Sequence, residues 1–148
     1  MSTTPTNVID QIKRDEGFRA NVYEDTVGKH TIGYGHNLDA NPLPDLEFPI
    51  TEVQATQILG ADVERISTFL QRELPWVVSL DDARHGVLQN MSFNMGVKGL
   101  LQFHSMLEYT KQGLYKLSAS EMIASRWYNE VGDRAKRLVE QMQTGEWA

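Results

Sequence analysis

DEGFRANVYEDTVGKHTIGYGH, residues 15–36, decides the reading of this chain. Glu16 closes a helical segment, Asp25 follows nine residues later in a turn, and Thr31 opens the run TIGYGH. Gly17 stops the first helix directly after Glu16. The dipole at a helix C-terminus disfavours an anion there, which suits a group that must hold a proton and give it up. Gly33 and Gly35 let the backbone turn sharply and let a ligand come close.

Upstream, Val8, Ile9 and Ile12, with Phe18 beyond, form the apolar side of a short helix that Thr6 or Asn7 can cap. Residues 19–38 read as short strands and turns, hence a small antiparallel sheet. LDANPLPDLEFPI, residues 38–50, carries Pro42, Pro44 and Pro49 and reads as a loop. From Thr51 to about Glu73 the apolar spacing is helical, and TEVQ is a capping box that pairs Thr51 with Gln54. Pro75 ends this helix. LDDARHGVLQNMSFNMG predicts another helix, from an Asp81 cap to Gly96, with Val87, Leu88, Met91 and Met95 facing inward. SASE, at Ser118–Glu121, reads as a further capping box ahead of a helix containing Trp127. A last helix covers about Asp133 to Gln143. The expected fold is α+β and mainly helical: a small N-terminal sheet lobe, a long connecting helix and a helical C-terminal lobe.

The 148 residues hold 41% hydrophobic side chains, enough for a real core and against disorder. With no cysteine, disulfides, thiolate catalysis and Cys-ligated zinc are excluded. The formal charge of −6 argues against nucleic acid and against tight adhesion to an anionic wall or membrane. Residues 1–50 hold eight acids against four bases, so the acidic excess surrounds the quoted stretch. For most of those acids a solvated surface is explanation enough. MSTTPTNVIDQIKRDE has no long apolar run, so the expectation is neither secretory signal nor membrane anchor. His30, His36, His85 and His104 show no ligand spacing, and no metal is expected.

Paired carboxylates at a cleft serve glycosidic bond cleavage: one protonates the leaving oxygen, the other handles water or the sugar cation. Twenty acids in one chain make a lone Glu–Asp spacing weak. Helix end, turn acid, then a threonine before Gly-x-Gly-His is a stronger signal. Each residue also has a plainer role open to it. Glu16 can be an exposed helix-end acid, Asp25 a turn cap, and Thr31 an ordinary strand residue.

The quoted stretch resembles the active-site segment of phage-type lysozymes, glycoside hydrolase family 24, whose pattern is Glu, eight residues, Asp, five residues, Thr. NMSFNMG at 90–96, SRWYNEVGDRAKR at 125–137 and TGEW at 144–147 resemble further segments of the family, in order. The resemblance implies one lysozyme-like domain over 1–148. Its N-lobe would cover about 13–60, its connecting helix about 51–73, and its C-lobe about 74–148 plus the first helix. The cleft between the lobes would hold a glycan strand.

By the same resemblance, Glu16 is the general acid acting between N-acetylmuramic acid and N-acetylglucosamine. Asp25 is the second carboxylate, and Thr31 holds the attacking water. Inversion is implied, with carboxyls about 6.5–9.5 Å apart. Arg134 is expected to pair with Glu16 or Asp15 and support the acid. Phe93 and Asn37 are the substrate-binding candidates, and Phe93 could equally be core. Arg126 and Trp127 resemble a structural core element, and His36 is expected to pair with Asp62. Asn37 and Met106 stand where the best-known member has Leu and Ser, and Glu121 replaces an Asn.

The implied activity is that of a monomeric, cofactor-free endolysin that lyses the host from within. It would be made in the host cytoplasm, be released by a holin and act on peptidoglycan in the periplasm. Rival readings are a non-catalytic wall-binding module of a phage tail and a bacteriocin-like muramidase.

Overall fold

The computed structural model describes residues 4–148. The architecture is α+β and mainly helical, as the sequence predicts, and the chain divides into two compact units. One is Ile9–Arg65; the other is Ile66–Ala148 with the residues before Ile9.

The first unit holds most of α1 (Val8–Glu16), then β1 (Arg19–Glu24), β2 (His30–Gly33), β3 (His36–Asn37) and the first part of α2 (Glu52–Glu73). The strands form an antiparallel sheet in the order β1-β2-β3. Tyr23 lies opposite Thr31 and Glu24 opposite His30; Thr31 lies opposite Asn37 and Ile32 opposite His36. Residues directly opposed share a face, so Tyr23, Thr31 and Asn37 form one row across the sheet. Ile32 and His36 form a row on the other face and are buried. The start of α2 packs here through Ala55, Leu59, Asp62 and Val63, all buried at helical spacing. Gly33 lets β2 approach closely: a Cβ there would lie 3.2 Å from the Cβ of Ala55.

The TEVQ capping box forms as read. Gln54 N donates to Thr51 Oγ1 at 3.1 Å, and Thr51 N donates to Gln54 Oε1 at 2.9 Å. Residues 38–50 form no regular element beyond turns, as their prolines require. Part of this loop lies against α2 and encloses an open groove of about 560 Å³, lined by Pro42, Leu43, Leu46, Ile58 and Arg65, with the buried His36–Asp62 pair in its wall.

In the second unit a short 3-10 helix, Pro75–Ser79, follows α2. Then come α3 (Asp82–Met95), α4 (Val97–Leu101), α5 (His104–Lys111), α6 (Tyr115–Ile123), α7 (Arg126–Val131) and α8 (Asp133–Thr144). Its core joins Leu70, Val87, Leu88, Met91, Leu100, Met106, Met122, Trp127, Leu138 and Met142, among others. Asp81 caps α3 as expected, accepting from Arg84 N at 3.1 Å.

Two local expectations fail here. SASE lies inside α6 and caps nothing: Ser118 is buried and shares a 2.7 Å hydrogen bond with Thr110. The cap of α7 is Ser125, which accepts from Tyr128 N at 3.2 Å. Arg126 is exposed and is not core, because at the first position of α7 it points outward while Trp127 points in. Trp127 is the anchor expected: it is buried, donates to Asn94 Oδ1 at 2.8 Å and meets Phe103 edge-on.

Candidate active site

Glu16 is the last residue of α1 and is half-buried. Its side chain lies against the backbone of Gly35, in the turn between β2 and β3. The φ of +77° there favours glycine, and a Cβ at Gly35 would stand 2.7 Å from Glu16 Oε2 and push the carboxyl aside. TIGYGH is thus shaped to receive the acid.

Asp25 ends the strand side of the β1–β2 turn. Its Oδ1 accepts from Val27 N at 3.0 Å and Lys29 N at 2.8 Å. The turn-capping role weighed in the sequence is therefore real, and it uses one oxygen. Among the described residues Oδ2 is engaged by nothing. A carboxylate with one oxygen clamped and the other available is held in orientation and can still take a proton.

Thr31 is buried in the middle of the sheet. Its hydroxyl donates to the carbonyl of Lys29 at 2.9 Å. With that proton committed, Oγ1 can only accept from a further partner. Asn37 shares the row of Thr31, but its Oδ1 accepts from Asp39 N at 2.9 Å and Ala40 N at 3.0 Å. Its carbonyl end therefore serves a local turn, and only its amide nitrogen remains for a ligand. His30, at the sheet's end, takes its partner from Asp39, with Nδ1 and Oδ1 3.2 Å apart.

The remaining candidates lie in the second unit. Arg134 on α8 donates from Nε to the buried Asn90 at 2.9 Å. Phe93 on α3 is half-buried and lies outside that unit's hydrophobic cluster. Met106 and Glu121, two positions of departure from the best-known family member, line one open cavity of about 440 Å³ with Phe103 and Trp127. No trio of His, Asp and Glu side chains converges as a metal site among the described residues.

The sequence pattern described as phage lysozyme matches residues 13–144. The chain belongs to the phage lysozyme family. Among its relatives is the pre-baseplate central spike protein Gp5 of Enterobacteria phage T4, 29% identical over 162 aligned residues; the match takes in 94% of this chain and 28% of that protein's length. A probable T4-type lysozyme of Dictyostelium discoideum is 24% identical, with 95% of each chain covered. An endolysin of Acyrthosiphon pisum secondary endosymbiont phage 1 is 28% identical, over 76% of this chain and 72% of that one. As a phage lysozyme, the domain is of the lysozyme type of peptidoglycan hydrolase. No helix among the described residues is long and apolar enough to cross a membrane.

Tyr23 is a neighbour of these candidates that the sequence reading did not single out. It faces Thr31 across the sheet. Burial, and then the negative charge of Glu16, raise its pKa above the phenol's usual 10.0; Arg19 opposes this and Asp25 adds to it. Its position two residues before Asp25 was the available signal.

Proposed function

We propose that this phage lysozyme hydrolyses the β-1,4 bond between N-acetylmuramic acid and N-acetylglucosamine with inversion, and that its use is host lysis. The observation that supports this best is the commitment of the Thr31 hydroxyl to Lys29. A water between Thr31 and Asp25 then meets two acceptors, Oγ1 and the unclamped Oδ2. It gives one hydrogen to each, which leaves an oxygen lone pair directed at the anomeric carbon.

Glu16 protonates the glycosidic oxygen from the other side as the bond breaks. Asp25 accepts the water's proton as attack proceeds, so one carboxyl ends ionised and the other protonated, and solvent restores both. Direct attack by water opposite the leaving group inverts the anomeric centre. Arg134 as support for the acid and Phe93 as a substrate contact are carried on the family resemblance; Asn37 departs from the best-known member, and its amide nitrogen is the group it has left for a sugar.

The test is digestion of purified Gram-negative peptidoglycan by wild type and by Glu16→Gln, with mass analysis of products in ¹⁸O-water and NMR of the first anomer released. Reducing N-acetylmuramic acid ends of inverted configuration, from wild type alone, are expected. Anhydro ends would remove the water-activating role of Asp25 and Thr31.

The match to a baseplate spike protein supports a second reading, in which the same hydrolysis serves virion entry. Detection of the chain in purified virions would favour it. Lysis that requires co-expression of a holin would favour the endolysin reading.

A further inference from the structure

β1 and β2 start in register at Arg19 opposite Gly33, and by Tyr23 opposite Thr31 the pairing has shifted. Four steps along β1 span two along β2, so the bulge carries two extra residues. In even register Asn21 would oppose Thr31. The bulge puts a phenol there instead, on the face of the sheet that Thr31 occupies.

The ring of Tyr23 is held in place. The guanidinium of Arg19 lies 4.4 Å from its centroid, which fixes the ring without engaging the hydroxyl. No hydrogen bond is made to that hydroxyl among the described residues. Both Glu16 and Asp25 act on it through space. Burial, the first cause of its raised pKa, keeps the phenol protonated whatever the charge on Glu16, so Tyr23 brings a neutral donor to the row that holds Thr31.

We propose that Tyr23 is a catalytic residue that contacts substrate, its hydroxyl donating a hydrogen bond to an oxygen of the amino sugar whose anomeric carbon is attacked. This rests on the reading of Glu16, Asp25 and Thr31 given above. Thr31 and Asp25 as acceptors suffice to orient water, and a donor on the water oxygen would blunt its attack. The sugar is the partner that needs a donor. Hydrogen bonds to the reacting sugar strengthen as the ring flattens toward the oxocarbenium-like state, so the effect falls on turnover more than on binding.

The experiment compares wild type, Tyr23→Phe, Tyr23→Ala and Glu16→Gln on solubilised glycan strands, with kcat and KM measured separately and melting followed by circular dichroism. Tyr23→Phe keeps the ring and its contact with Arg19 and removes one oxygen. It should melt with wild type, lower kcat by about 10- to 100-fold and change KM by less than about threefold. Tyr23→Phe at wild-type rates, with Tyr23→Ala impaired, would overturn the proposal and leave the ring as packing. A Glu16→Gln enzyme that still turns over would instead overturn the reading of the site, and Tyr23 with it.

Discussion

Asp25 and Gly35 each carry a local structural task that bears on the proposed chemistry. Asp25 holds its turn with Oδ1. Asparagine can accept the same two hydrogen bonds but cannot take a proton. Asp25→Asn should therefore melt within about 2 °C of wild type while losing at least about 100-fold in kcat, the range of general-base loss; paired melting and rate measurements check this. Gly35 does its work by lacking a side chain. Gly35→Ala sets a Cβ against the Glu16 carboxyl at a backbone angle that L-residues avoid. About 10-fold or more lost activity is expected from the displaced acid, with a stability cost of about 1–3 kcal/mol. Near-normal rates for Gly35→Ala would mean that Glu16 is not placed by that turn.

At the level of elements, β3 is tied to α2 by a pair of buried side chains. His36 Nδ1 lies 2.7 Å from Asp62 Oδ2, and Nε2 lies 2.8 Å from the carbonyl of Asn41. Both ring nitrogens face acceptors, so the ring is held as the imidazolium. Burial is the largest influence and opposes the charge; the hydrogen bonds to Asp62 and Asn41, with the charge of Asp62, outweigh it and raise the pKa above 6.5. The folded chain therefore binds this proton more tightly than the unfolded chain. The stabilisation is complete below pH 6.5 and is lost as pH rises through the raised folded value. His85 on α3 runs the other way: burial lowers its pKa, only partly offset by Asp82, so protonation in the unfolded chain costs stability as pH falls below 6.5. Denaturant melts across pH should show stability declining on the alkaline side, and His36→Gln should flatten that limb alone. His85→Gln should flatten part of the acidic limb. An unchanged alkaline limb in His36→Gln would show that the pair stores no linked proton.

Across the second unit, the end of the chain closes onto α3. Trp147 packs on Gly86, where a Cβ would collide with its ring. Gln141 donates to the carbonyl of Ala83 at 2.7 Å and accepts from Ala148 N at 3.1 Å. Arg84 reaches the carbonyls of Met142 and Gln143 at 2.8 and 3.0 Å. Gly86→Ala should expel the indole and cost about 1–3 kcal/mol, as overpacking does. Thermal melting with tryptophan fluorescence checks both effects, and an unshifted melt with unchanged emission from the half-buried Trp147 would disprove the packing argument.

Local chemistry was legible in places where both partners lie close in the chain, though the Ser125 cap of α7 was passed over. TEVQ reads as a cap because Thr51 and Gln54 satisfy each other three residues apart, and the same holds for Asp81 and Arg84 N. SASE carries the same signature and fails, because the hydroxyl of Ser118 is claimed by Thr110 on α5. Glycine placement and apolar period made the helix end, turn and strand around Glu16, Asp25 and Thr31 legible, while the family was legible only as a resemblance carried by several segments in order. The tertiary structure decided what each of those groups has left to offer. One oxygen of Asp25 is clamped, the proton of Thr31 is spent, and the Glu16 side chain rests on Gly35. A two-residue bulge brings Tyr23 to Thr31. Residue type sets how many hydrogen bonds a group can make, but only the folded chain determines which of them are already used.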